Sequence, residues 1–97
     1  MTRIFKSPQY ESDIEKIWSH IVLSSPTGAD RVVEAIEETI STLADFPKIG
    51  TPCPHLALSL RRCRWRAFLI YYRYAGHDVE IVRVLHGRRK IEPEQFV

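Results

Sequence analysis

Long hydrophobic runs are missing from this sequence of 97 residues. A helix that crosses a membrane needs about 20 consecutive apolar residues, and no stretch approaches that length. The opening residues, MTRIFKSPQY, also lack the apolar core of a secretion signal. The sequence therefore predicts a cytoplasmic protein without a membrane partner.

Cysteine is scarce, since only Cys53 and Cys63 are present. So sparse a pair, without an export signal, predicts reduced thiols rather than a disulfide. Zinc ligands usually come in closely spaced pairs, and the sequence contains neither CxxC nor HxxxH. The possible ligands are scattered over expected loop, strand and turn: Cys53, His55, Cys63, His77 and His86. We therefore expect no metal and no other cofactor.

Repeats, low-complexity segments and linkers are also absent, and 97 residues suffice for one modest core. The 44% hydrophobic and 27% charged content is that of an ordinary globular protein. We expect residues 1–97 to form a single domain.

Charge is distributed unevenly along the chain, although the net charge is only +2. Residues 1–56 contain five Lys/Arg against eight Asp/Glu, whereas residues 57–97 contain nine against four. Such asymmetry predicts an acidic partner for the C-terminal half, without choosing among nucleic acid, a nucleic-acid-associated protein and an acidic peptide.

The stretch RAFLIYYRYAGHDVEIVRVLHGRRKI, residues 66–91, predicts a β-hairpin. Its two runs are rich in aromatic and β-branched residues, and Gly76 suits a turn because it takes positive φ cheaply. Neither run alternates cleanly, so both should be central strands with covered faces. Charge inside a sheet must reach water, a carboxylate or an anion. Arg66, Arg73 and Arg83 therefore predict that one face of the sheet is open to one of these.

The preceding residues predict a short edge strand and two helices. Residues 2–6 suit the strand, and serine-proline pairs at Ser7-Pro8 and Ser24-Ser25-Pro26 start the helices. Apolar stripes follow at helical spacing, whereas Asp13 is assigned to a solvated face. The second helix should end before Pro47.

The remaining segments predict a loop, a strand and a tail. Residues 47–55 contain three prolines and a glycine and are expected to be loop only. Residues 56–63, LALSLRRC, alternate like a strand, and Pro93 can start one helical turn. The fold class is therefore α+β, in the order β-α-α-β-β-β, with a helical hairpin on one face of an antiparallel sheet.

Three phrases, DFPKIG, FLIYYR and VEIVRVLHGRRKI, together with this order of elements, resemble toxins of the RelE/ParE superfamily of type II toxin-antitoxin systems. The similarity covers nearly the whole chain and is greatest to the ParE branch. It implies a toxin neutralised by a cognate antitoxin, ParD-like with a ribbon-helix-helix, in a hetero-oligomer. DNA gyrase is the implied target. RelE-like relatives instead cut mRNA on the ribosome, and a non-toxic antitoxin-binding module is a third possibility.

A catalytic interpretation needs cations and a proton carrier. His86, Arg83, Arg66 and Glu80 are the candidates that the resemblance to RelE-like nucleases supplies, but no tyrosine follows Tyr74. A histidine at a strand end beside glycine more often bonds a backbone carbonyl than transfers a proton, so the proton-transfer set is incomplete. We expect a target-binding inhibitor rather than an enzyme.

In a second interpretation, the same cations form a surface that binds the antitoxin or the target. Arginines interleaved with an aromatic residue are typical of nucleic-acid surfaces, and equally of solvated turns. Arg83 has the alternative of an internal salt bridge to Glu80 or Glu92. Trp18, if half exposed, offers a docking point for an antitoxin helix. The expected antitoxin- or target-binding residues are Arg61, Arg62, Arg64, Arg66, Arg73, Arg83, Arg88, Arg89 and Trp18.

Overall fold

A computed structural model of the protein describes residues 2–97 and contains two helices and five strands. Their bounds, in chain order, are β1 Arg3–Lys6, α1 Pro8–Val22, α2 Pro26–Asp45, β2 Thr51–Pro52, β3 Arg61–Trp65, β4 Phe68–Ala75 and β5 Asp78–His86. A 3₁₀ turn, Pro93–Phe96, follows and is called the C-terminal turn below. The predicted α+β class is confirmed.

The strands form a single sheet in the order β1-β5-β4-β3-β2. The last strands make the predicted antiparallel meander, and Gly76 adopts φ +59° in the turn between β4 and β5. Strand β1 pairs with β5 in parallel, from Arg3 opposite Asp78 to Lys6 opposite Ile81, so the sheet is mixed and not, as the sequence predicts, antiparallel throughout. Strand β1 stops there, and the second half of β5 faces helix α1 instead.

Both helices begin as the serine-proline pairs predict. The Ser7 hydroxyl accepts a hydrogen bond from the Tyr10 amide, and the Ser25 hydroxyl accepts one from the Gly28 amide, each at 3.0 Å. These caps satisfy amide groups that the first helical turn leaves without partners. Ser7 also donates through its hydroxyl to the Val82 carbonyl, which fixes the start of α1 against β5.

Hydrophobic clusters cover both faces of the sheet. The first lies under the helices and contains Tyr10, Ile36, Ile40, Leu43, Ile70, Tyr72, Val79, Ile81 and Val84. The second lies under the loop before β3 and the C-terminal turn, and contains Cys53, Leu60, Leu69, Tyr71, Val82, Leu85 and Phe96. The prediction that β4 and β5 are covered on both faces is confirmed, and the open sheet face expected from the arginines is not found.

Two predictions for the segment between α2 and β3 are wrong. Residues 56–60 form turns rather than a strand, because Ser59 takes φ +60° and Leu58 is 86% exposed while Leu60 is buried. The strand starts only at Arg61. Residues 47–55 were expected to contain no strand, but they include β2, whose residues Thr51 and Pro52 pair with Arg62 and Arg61.

Candidate functional site

Arg83 forms an internal ion pair with Asp13. Its Nη2 and Nε atoms lie 2.6 and 2.9 Å from the two carboxylate oxygens, and Nη1 donates to the Gln95 carbonyl at 3.3 Å. The side chains are only 14% and 4% exposed. The hydrogen-bonded carboxylate raises the pKa of Arg83. The structure therefore shows the alternative interpretation of Arg83, an internal salt bridge, but with Asp13 on α1 as the partner instead of Glu80 or Glu92.

The position of Asp13 corrects the assignment of this residue to a solvated face. Asp13 follows Tyr10 by three residues and precedes Ile17 by four, so it lies on the buried stripe of α1. Its carboxylate also accepts a hydrogen bond from the Val84 amide at 3.2 Å. Asp13 thus occupies the edge of β5 that β1 leaves open.

Two further predicted binding arginines also have partners within the fold. Arg73 donates to the Leu58 carbonyl at 3.0 Å and pairs with Glu80 at 3.4 Å. Arg61 donates to the Gly50 carbonyl at 2.7 Å and lies over the Tyr74 ring. These contacts account for both side chains without a ligand, and Arg62, at the same end of β3, is half buried.

The other four predicted arginines gather at the opposite end of the meander. Arg64 and Arg66 lie where β3 turns into β4, and Arg88 and Arg89 follow β5. Trp65 pairs with Phe68, and Phe68 pairs with His86. The arginines next to Trp65 and those after His86 therefore lie at the same end of the three strands. All four arginines are exposed. We call this group the arginine end.

A groove of about 340 Å³ lies between α1 and β5, beside the arginine end. Its lining combines apolar side chains from both elements with Asp13. Its cationic and imidazole groups are Lys16, His20, His86 and Arg89. The groove therefore suits a segment that combines apolar side chains with acidic ones.

The candidate catalytic residues are not assembled into one site. Glu80 pairs with Arg73, whereas Arg83 is held by Asp13. The Nδ1 atom of His86 accepts the Arg88 amide at 3.1 Å, and its ring meets Phe68 edge-on at 5.4 Å. The partner of the His86 ring is thus a backbone amide and not the backbone carbonyl that the sequence predicts, and the hydrogen bond holds the turn after β5.

Buried titratable groups elsewhere support structure rather than proton transfer. Burial raises the pKa of Tyr72, which keeps its hydroxyl protonated to donate to the Pro47 carbonyl at 2.7 Å. Burial likewise raises the pKa of the Cys63 thiol, which disfavours the reactive thiolate. Cys53 and Cys63 are free thiols, as predicted. Within residues 2–97 there is no cluster of three or more His, Cys, Asp or Glu side chains that could hold a metal ion.

Trp18 meets the condition set for a docking point, since 40% of its surface is accessible. Its indole NH donates to the Asp30 carboxylate on α2 at 3.0 Å. It does not line the α1–β5 groove. None of the helices in the described chain is long and apolar enough to span a membrane.

The sequence is similar to known proteins over most of its length. Residues 4–91 match the family model described as the ParE toxin of the type II toxin-antitoxin system parDE. Toxin ParE1 of Caulobacter vibrioides is 31% identical over 83 residues, which cover 82% of this chain and 83% of the relative. Toxin ParE3 of the same organism is 25% identical over 92 residues, covering 94% and 92%.

A solved structure has the same fold. A chain from the chromosomal ParDE toxin-antitoxin system of P. aeruginosa superposes with a TM-score of 0.74 and 24% sequence identity. The similarity covers 89% of this chain and 96% of that one. The two helices on a five-stranded mixed sheet are therefore the architecture of that structure as well.

Proposed function

Because the chain belongs to the ParE toxin family of type II toxin-antitoxin systems, we propose that it inhibits DNA gyrase by binding and that a cognate antitoxin neutralises it. Gyrase is the target that the resemblance to ParE sequences implies. The observation that carries the binding mechanism is that three of the four candidate catalytic residues are already engaged in contacts within the fold. Glu80 and Arg83 are each held in a salt bridge, and the His86 Nδ1 atom is already hydrogen-bonded.

The antitoxin is proposed to be ParD-like, with a ribbon-helix-helix, because the family description and the solved neighbour both carry the ParDE name. We place part of its toxin-binding segment in the α1–β5 groove. The apolar side chains that line the groove offer surface to bury, and its cationic side chains favour acidic side chains in the bound segment. The resulting complex is a hetero-oligomer.

Charge reversal at the groove is expected to weaken antitoxin binding. Lys16→Glu should raise the dissociation constant about five- to tenfold, chiefly through a slower association rate, because rim charges steer encounter. The matched control is Arg31→Glu, an exposed reversal on α2 away from the groove. Surface plasmon resonance with immobilised antitoxin measures both. Equal effects of the two reversals would mean that the groove is not the docking surface.

Expression in cells tests the choice of target. A gyrase inhibitor should induce DNA damage signalling and leave translation intact in a cell extract. His86→Ala should keep this toxicity, because the proposal gives His86 no proton to transfer. Cleavage of mRNA only in the presence of ribosomes, abolished by His86→Ala, would instead identify a RelE-type nuclease.

A further inference from the structure

The arginine end is built from two turns that a backbone hydrogen bond joins. The Gly87 amide donates to the Ala67 carbonyl at 2.7 Å. Arg66 immediately precedes one of these residues, and Arg88 immediately follows the other. Two basic runs that are far apart in sequence thus become one surface.

Both turns have defined backbone geometry. The His86 Nδ1 atom accepts the Arg88 amide at 3.1 Å, and the His86 carbonyl accepts the Arg89 amide at 3.0 Å. Arg66 adopts φ +51°, a left-handed conformation that glycine takes with less strain. Its guanidinium lies 5.1 Å from the centre of the Trp65 ring. An arginine at so unfavourable a backbone position suggests that its side chain is used.

The charges of this surface are not neutralised within the fold. Five other cations pair with carboxylates: Arg3, Lys6, Arg73, Arg83 and Lys90. Across residues 2–97, no salt bridge includes Arg64, Arg66, Arg88 or Arg89. These four exposed arginines are therefore without a salt-bridge partner in the described chain.

The composition of the surface favours nucleic acid over protein as its partner. Protein interfaces have an apolar centre, whereas protein–DNA interfaces are more polar and much more positive. The large exposed apolar side chains of the described chain are outside the two turns that carry these arginines: Phe5, Trp18, Leu23, Phe46, Ile49, Leu58 and Val97. Guanidinium groups also bind phosphate oxygens in a bidentate manner.

We propose that the arginine end binds the phosphate backbone of duplex DNA. The inference rests on the proposed function, because it lets the toxin contact the DNA that gyrase holds as well as gyrase itself. Backbone contacts carry no sequence information, so binding is independent of sequence. Each phosphate contact releases counterions, so affinity falls steeply with salt.

Fluorescence anisotropy of a labelled DNA duplex, with the antitoxin-free toxin, tests this directly. Each contacted phosphate contributes about −0.9 to the slope of log K against log salt, so four contacts predict a slope between about −3 and −4. The double variant Arg66→Gly with Arg88→Gln should make the slope shallower by about 2 and weaken binding at least about tenfold. Glycine suits the left-handed backbone at position 66, so the fold is retained.

The matched control removes two exposed cations that are outside the arginine end, Arg31→Gln with Lys48→Gln, and should keep the wild-type slope. Equal losses in both double variants would reduce the effect to net charge and overturn the proposal. Tighter binding to single-stranded RNA would assign the surface to RNA. If the wild-type protein does not bind DNA and the Arg66/Arg88 variant loses antitoxin binding, the surface would be assigned to an acidic protein segment.

A supercoiling assay separates this inference from the proposed function. If the Arg66/Arg88 variant no longer inhibits gyrase and the control variant still does, the result supports both the gyrase target and the DNA-binding surface. Wild-type inhibition without salt-dependent DNA binding overturns the DNA surface and leaves the gyrase target standing. Salt-dependent DNA binding without inhibition of gyrase upholds the surface and overturns the target.

Discussion

Replacing Asp13 with alanine is expected to lower the free energy of unfolding by about 3–5 kcal/mol, the usual effect of removing one partner from a buried ion pair. The change leaves the largely buried Arg83 guanidinium without its carboxylate and the Val84 amide without its acceptor. Domains of this kind are stable by about 5–15 kcal/mol, so this loss removes a large part of the total. Urea denaturation followed by tryptophan fluorescence measures it, with an unchanged m-value.

A double-mutant cycle separates the pair from its surroundings. Arg83→Ala alone should cost about as much as Asp13→Ala, and the double variant much less than their sum, because the second change removes the unpaired charge. Arg3 and Asp78 supply the control: their salt bridge is 70% and 42% exposed, and its loss should cost at most about 1 kcal/mol. Equal costs at the two salt bridges would contradict the structural role given to Asp13.

The second large effect is expected at Gly50, in the DFPKIG phrase. A Cβ atom there would lie 2.5 Å from the Tyr72 hydroxyl, 2.7 Å from its ring and 2.9 Å from the Arg62 carbonyl. The Tyr72 side chain is fully buried, and its hydroxyl accepts the Gly50 amide at 2.8 Å. It has no room to move, so Gly50→Ala should cost about 3 kcal/mol from overpacking and weakened hydrogen bonds.

Gly76→Ala is the matched control, since open space surrounds that position and only its φ of +59° opposes a side chain. It should cost about 1 kcal/mol. Combining Gly50→Ala with Tyr72→Phe should cost less than the sum, because the closest contact is to the hydroxyl. Thermal unfolding of these three variants and of Tyr72→Phe alone decides, and equal costs for the two glycine substitutions would mean that the contact with Tyr72 is unimportant.

Local signals in the sequence predicted the central strands and both helix starts. The turn at Gly76 and the capping serines act within a few residues, so their effect is readable without tertiary structure. Strand β3 was harder, because the alternating leucines before it belong to a loop. Their alternation separates the buried Leu60 from the exposed Leu58 without forming a sheet.

The partners of charged side chains were less predictable than the elements that carry them. Arg83 and Asp13 are 70 residues apart, so no local pattern joins them. A signal was nevertheless present at Asp13, which shares a helical face with Tyr10 and Ile17. The arginine end depends in the same way on the meander, whose register brings residues 66 and 88 to one edge.

The most direct measurement is the ATP-dependent supercoiling of relaxed plasmid by purified gyrase, with increasing amounts of the toxin. We predict loss of supercoiling and accumulation of cleaved DNA, both reversed when the cognate antitoxin is added first. Undiminished supercoiling with a toxin that is folded and binds its antitoxin would contradict the account.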